Sequence, residues 1–182
     1  MSDAEGNDAR DSVSLRPIGE DDLPVITGHL ADPGSVSPFQ WFGWSDPHRW
    51  RRDWAENGLL GPDGGRLLVT GGGESLGFVA WRKISSANSF FWNVGILLWP
   101  HARGRGVGTE AQRLLVRYLF AHTPTARVEA DTDIDNVAEQ RALEKAGFTR
   151  EGVLRASNFR DGRWRDSVLY GIVRDDLPTA GA

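Results

Sequence analysis

The chain contains no cysteine. Disulfides, thiolate metal centres and cysteine nucleophiles are thereby excluded, and the absence fits a cytoplasmic protein. Its four histidines, His29, His48, His101 and His122, show no metal-ligand spacing, so no metal is expected. No apolar run approaches the roughly 18 residues needed to span a bilayer, and no membrane partner is expected. Met1–Asp11 is polar and acidic and lacks the apolar stretch of a secretory signal, so residues 1–12 read as a disordered tail. Residues 175–182 read as a second tail. Basic excess is also missing: the net charge is −4, which argues against a general nucleic-acid binder and is compatible with a cationic amine partner. There is no internal repeat and no linker, so residues 13–174 form one expected domain of the 182-residue chain.

What is present is an ordinary globular balance, with 40% hydrophobic and 25% charged residues. Val13–Ile18 reads as a strand. Acids at Glu20, Asp21 and Asp22 open a first helix carrying Leu23, Val25, Ile26 and Leu30. Asp46-Pro47 has the form of an N-cap followed by proline at the first helical position, with a stop at Gly58. Leu67–Thr70 and Leu76–Lys83 flank a glycine-rich turn, as in a hairpin, and Phe90–Leu98 follows as a strand. Val107, Ala111, Leu114, Leu115, Tyr118 and Leu119 share a helical face. Arg127–Thr132 is a short strand. Asn136 and Glu139 have capping-box spacing at the start of a helix that stops at Gly147. Asp161-Gly162 is the turn of a closing hairpin. The order β-α-α-β-β-β-α-β-α-β-β predicts a mixed α/β fold with a largely antiparallel sheet.

The strand Phe90–Leu98 runs through Arg103-Gly104-Arg105-Gly106-Val107-Gly108-Thr109 into a helix. Such a turn lets the backbone approach an anion, and the free amides and dipole of the helix start point at it. Two arginines add forked donors suited to phosphate oxygens. The turn therefore predicts a phosphate-bearing ligand. Gly106-x-Gly108-x-x-Ala111, with Glu129 about 20 residues on, also fits a dinucleotide fingerprint. Against that reading, the turn follows hairpins rather than a first βαβ unit.

Arg103-x-x-Gly106-x-Gly108, Asn93–Pro100, Asp135–Phe148 and the closing segments Glu151–Arg155, Asp161–Trp164 and Ser167–Tyr170 occur in the order seen in the GCN5-related N-acetyltransferases. From about Leu76 to Val173 the chain resembles that family, and in particular its Rim-type branch, which includes acetylases of ribosomal-protein N-termini. The resemblance implies the GNAT fold, with a central mostly antiparallel sheet splayed between its fourth and fifth strands. It also implies acetyl-CoA, or another acyl-CoA, as co-substrate. The amides of Arg103, Gly104, Arg105, Gly106, Val107, Gly108 and Thr109 would bind the pyrophosphate, and Ile96, Leu97 and Leu98 would accompany the pantetheine. An amide near Leu97 would polarise the thioester carbonyl. Asn136 would contact the pantetheine or cap its helix.

The implied function is N-acyltransfer to a primary amine, either a protein N-terminus or a small molecule, by a cytoplasmic enzyme and possible homodimer. The chain departs from the family at the chemistry. Leu143 stands where many members have a tyrosine acid. Asn93 and Glu139 stand where Rim-type enzymes have glutamate and serine. The remaining candidates for acid, base or orienting group are Glu139, Asn93 and Tyr170, with Asp131 and Asp133. A coenzyme A-binding sensor with little turnover is the alternative that these departures motivate.

The acceptor side is aromatic. The chain has eight tryptophans against two tyrosines. Phe39, Trp41, Phe42 and Trp44 fall in a loop and are expected to line an acceptor pocket; core filling is the expectation for most of the eight tryptophans.

Overall fold

The structure, a computed structural model, describes residues 13–177. The expected N-terminal tail and all but the first three residues of the expected C-terminal tail lie outside the described residues. Eight strands form one sheet: β1 (Ser14–Pro17), β2 (Leu60–Gly61), β3 (Gly64–Gly71), β4 (Glu74–Ser85), β5 (Phe90–Leu98), β6 (Arg127–Asp133), β7 (Thr149–Arg160) and β8 (Arg163–Val173). Their order is β1-β3-β4-β5-β6-β8-β7, with β2 paired to β3. Four α-helices flank it: α1 (Leu23–Ala31), α2 (Arg49–Asn57), α3 (Val107–His122) and α4 (Val137–Ala146).

Strand alternation divides the core between the two faces. Leu67, Val69, Val79, Val94, Ile96, Val128 and Ala130 pack with Ala111, Leu115 and Leu119 of α3 and Leu143 of α4. Their neighbours Leu68, Phe78 and Leu97 point the other way and pack with Leu23 and Ile26 of α1, together with Trp99. Most tryptophans fill space, and several bind their indole N–H: Trp54 donates to Ile18 O at 2.8 Å, Trp92 to Thr123 Oγ1 at 2.9 Å and Trp99 to Ser75 Oγ at 3.0 Å.

Three expectations shift. The second helix begins at Arg49 rather than at Pro47, because Asp46 Oδ1 accepts from the His48 amide at 2.9 Å and holds a local turn ahead of it. The buried face of α3 carries Gln112, Val116 and Phe120 beside Ala111, Leu115 and Leu119, while Tyr118 is exposed. The short strand β2, too brief to show an alternating pattern, was not expected. The closing turn is as read: Asp161 at φ 52° and Gly162 at φ 74° give the left-handed pair of a type I′ hairpin.

The pairing of β5 with β6 is parallel and spans three residue pairs, Trp92↔Val128, Asn93↔Glu129 and Val94↔Ala130. Beyond Val94 the strands part, and β5 continues with β4 alone, from Ala80↔Gly95 to Gly77↔Leu98. Every backbone group on that side of Ile96 and Leu98 then needs another partner. The opening is the structural origin of the site.

Candidate active site

Gly104 (φ 74°) and Gly106 (φ 81°) turn the chain from β5 into α3, both in the left-handed region that side chains resist. Gly106 is the N-cap, and the Glu110 amide makes the first bond back to its carbonyl at 3.2 Å. The amides of Val107, Gly108 and Thr109 precede that bond and have no intrahelical acceptor. They open on a cavity of about 410 Å³ lined by Leu98, Arg103, Gly104, Gly106, Gly108 and Thr109 on one side and by Ala138, Arg141 and Lys145 of α4 on the other. The Val107 side chain is buried in the core, and Arg105 lies exposed outside the lining.

Arg103 is differently employed than its place in the loop suggests. Its Nε donates to Leu98 O at 3.0 Å and its Nη2 to Ser35 O. The guanidinium thus tethers the end of β5 to the loop after α1 through two of its five N–H groups, while the residue lines the cavity. Arg141 and Lys145, four residues apart on α4, bring exposed cations to the same cavity. Their spacing was legible in the sequence, but only packing of α4 beside α3 aims them there.

Backbone direction also alternates along β5. The Trp99 amide donates to Leu76 O at 2.9 Å, toward β4, and Leu97, two residues earlier, shares that direction. Leu97 is 7% exposed and packs in the second core, so it lies outside both cavities. Ile96 and Leu98 face the opening: Ile96 O accepts from Gln40 Nε2 and Leu98 O from Arg103 Nε. Of the three residues, Ile96 and Leu98 turn their backbone groups to the opening and Leu97 turns its own toward β4.

A second cavity, about 570 Å³, lies between β4, β5 and β6 and the loops bearing Phe39 and Phe42. The two cavities share Phe39, Gln40, Ile96, Asn136 and Glu139. Of the four loop aromatics, Phe39 and Phe42 line this cavity, and Trp81 joins them from β4. Trp41 and Trp44 do not: they meet edge to face at 5.0 Å, Trp41 against the second core and Trp44 75% exposed.

Asn93 lies on the floor of the larger cavity. Its Oδ1 accepts from Arg82 Nε at 3.1 Å, and its Nδ2 donates to Asp131 Oδ1 at 3.1 Å. Asn93, itself oriented by Arg82, thus holds one oxygen of Asp131, and among the described residues Asp131 has no ion-pair partner. Asp133 is committed elsewhere, to Arg160 Nη2 at 2.6 Å, with both side chains almost fully buried. Arg160 also donates to Phe39 O at 3.0 Å and lies over the Phe39 ring, which fixes the aromatic wall.

Asn136 Oδ1 accepts from the Glu139 amide at 3.4 Å, the N-cap half of a capping box. Its Nδ2 donates to Thr132 Oγ1 at 3.0 Å. The Glu139 side chain does not close the box. It extends to α3, where its Oε1 accepts from Gln112 Nε2 at 3.0 Å, and burial pushes its carboxyl up to about 7. Tyr170 is not part of the site. It is fully buried in the core, lines neither cavity, and its hydroxyl donates to Glu144 Oε1 at 3.0 Å. Burial and the Glu144 carboxylate raise it to about 12. Its even spacing along β8 points it into the core, a fact that pairing with β6 decides.

Glu129, the acid of the dinucleotide reading, is held by Arg127 Nε at 2.7 Å and borders neither cavity. Gln112 and Gln40 were missed in the sequence. Gln112 carried a signal, being an amide set three and four residues from Leu115 and Val116 on an apolar stripe. Gln40 carried none.

Comparison with known proteins is consistent with this arrangement. A family model described as Acetyltransferase (GNAT) domain matches residues 12–149. The chain is 37% identical over 83 residues to "Probable N-acetyltransferase YjcK" of Bacillus subtilis, an alignment covering 46% of each protein. Its fold superposes on spermidine N-acetyltransferase from Vibrio cholerae in complex with CoA and spermine with a TM-score of 0.78, at 18% identity over 91% of this chain and 98% of that one. RimL, a ribosomal L7/L12 alpha-N-protein acetyltransferase in complex with coenzyme A, gives a TM-score of 0.76 at 18% identity over 91% and 96%. The chain belongs to the GNAT acetyltransferase family.

Proposed function

We propose that this protein is an N-acyltransferase that moves an acetyl group from acetyl-CoA to a primary amine. The observation that carries the reading is the meeting of the two cavities at Ile96, Asn136 and Glu139. The smaller cavity fits acetyl-CoA: free helix-start amides at Gly106–Thr109 suit its pyrophosphate, with Arg141 and Lys145 beside them, and the unpaired edge of β5 suits an extended amide chain. Bound acetyl-CoA supplies an activated thioester. The Ile96 amide, at the junction, polarises its carbonyl, and the Leu98 amide holds the chain in register. Gln40 then yields its bond to Ile96 O or shares it.

The larger cavity takes the acceptor. Asp131, oriented through Asn93, docks the ammonium group. Glu139 removes the proton that frees the amine for attack, and a carboxyl near 7 balances between the two states at neutral pH. With Tyr170 outside the site, Glu139 also returns the proton to the departing sulfur. The C–N bond forms as the C–S bond breaks; of the two protons that the ammonium loses, Glu139 passes one to the sulfur and the other leaves to solvent. The size of the cavity and its walls of Phe39, Phe42 and Trp81 favour a compact small-molecule amine over a protein N-terminus. The absence of cysteine fits a cytoplasmic enzyme, and the exposed Val153, Leu154, Phe159 and Trp164 of the last hairpin support a homodimer.

Thiol release from acetyl-CoA tests the proposal, with polyamines, amino acids and an N-terminal peptide as acceptors. Amine-dependent release with small amines is the expected result. Stabilisation by coenzyme A without release with any amine would favour the sensor reading, and no stabilisation would remove both.

A further inference from the structure

Gln112 is the buried polar group for which the acyl-transfer scheme gives no task. It is 2% exposed, and among the described residues its Oε1 has no hydrogen-bond partner. A buried acceptor left open costs free energy, and a leucine on this stripe of α3 would remove the cost. The amide is instead set against Glu139, with Nε2 3.0 Å from its Oε1.

We propose that Gln112 is a positioning residue that holds the Glu139 carboxyl in both of its protonation states. The inference rests on the reading of Glu139 as the group that takes and returns the proton. In the observed arrangement the Gln112 amide donates to the ionised carboxylate. A half turn about its last side-chain bond exchanges nitrogen and oxygen, and Oε1 then accepts from the protonated carboxyl. The two arrangements have the same shape, so the core around Leu115 and Val116 need not move. An arginine or lysine here would pin Glu139 as the anion, and a second carboxylate would pin it as the acid. Only an amide or hydroxyl serves both, and only a long one reaches from α3.

Charged groups of the neighbouring elements line the same two cavities as Glu139. From β6 come Asp131 and Asp133, the latter neutralised by Arg160. From the donor side come Arg103, tied to two carbonyls, with Arg141 and Lys145 on α4 itself. These act equally on the wild type and on a Gln112 variant, so they cancel in a comparison.

The test is a carboxyl carbon-13 NMR titration of Glu139, with nitrogen-15 observation of the Gln112 side chain, in the protein without acetyl-CoA. In the wild type the Gln112 amide resonances should shift with the same midpoint as Glu139. Gln112→Met keeps the volume and removes both bonds, and the midpoint should rise by about one pH unit because the charge-assisted bond to the carboxylate is the stronger of the two lost. The acid limb of kcat/KM should move with it, with KM for acetyl-CoA unchanged within about twofold. Gln112→Leu gives the same expectation should the methionine variant fold poorly. A midpoint that stays or falls, or amide resonances indifferent to it, would overturn the proposal. A rate profile that ignores the Glu139 midpoint would instead remove Glu139 as the base, leaving Gln112 to be judged by the titration.

Discussion

Replacing Glu139 by glutamine should weaken the enzyme and strengthen the fold. Burial raises this carboxyl to about 7 from the 4.5 of the free group. The native state therefore binds a proton that the unfolded chain gives up once pH passes 4.5. Stability falls as pH rises through the window from 4.5 to about 7 and is flat above it. Converted at about 1.4 kcal/mol per pH unit, the cost to the fold at pH 8 is about 3 kcal/mol. Glutamine is neutral, has the same shape, and its carbonyl can still accept from Gln112. Glu139→Gln should be as stable as the wild type near pH 4 and more stable at pH 8 by up to about 3 kcal/mol. For a chain of this size that is a rise in Tm of about 6–12 °C at most. Turnover with a small amine at pH 8 should fall about 10²–10⁴-fold, the usual worth of a general base. Thermal unfolding at both pH values, paired with thiol-release rates, measures each half. A variant less stable than the wild type at pH 8, or a difference that does not change with pH, would refute the view that Glu139 is held in a costly environment.

Three further outcomes are expected. Gly106→Val places a branched side chain at φ 81°, so acetyl-CoA binding should weaken at least tenfold by calorimetry, with a loss of about 1–3 kcal/mol in unfolding free energy. Arg160→Met leaves Asp133 buried without its partner and should cost about 3–5 kcal/mol in denaturant unfolding; an unchanged midpoint would contradict the burial of that pair. Tyr170→Phe removes a hydrogen bond to Glu144, and neither residue lines a cavity, so kcat should stay within about twofold while stability falls by about 1 kcal/mol.

Local chemistry settles within a few residues, and this is why so much was legible in the chain. Glycine at 104, 106 and 108 before an apolar helical stripe implies a turn and a free helix start wherever the helix packs. Asn136 and Gly147 bound α4 through one hydrogen bond and one left-handed residue. The motif order from Asn93 to Tyr170 was enough to name the family. Tertiary structure decided what depends on direction across space. Which of Ile96, Leu97 and Leu98 turns its amide to the ligand follows from the register of β5 on β4, and a shift of one residue would reverse it. Glu139 has capping-box spacing, yet its carboxyl leaves the cap because Gln112, 27 residues away, offers a donor on the far side of the opening. Tyr170 looked available and is enclosed. Arg103 lines the donor cavity as its place in the loop implied, and its ties to Leu98 and Ser35 were not legible there. The Glu139–Gln112, Tyr170–Glu144 and Arg103–Ser35 contacts join segments distant in sequence, and only the folded sheet with its parted strands brings them within bonding distance.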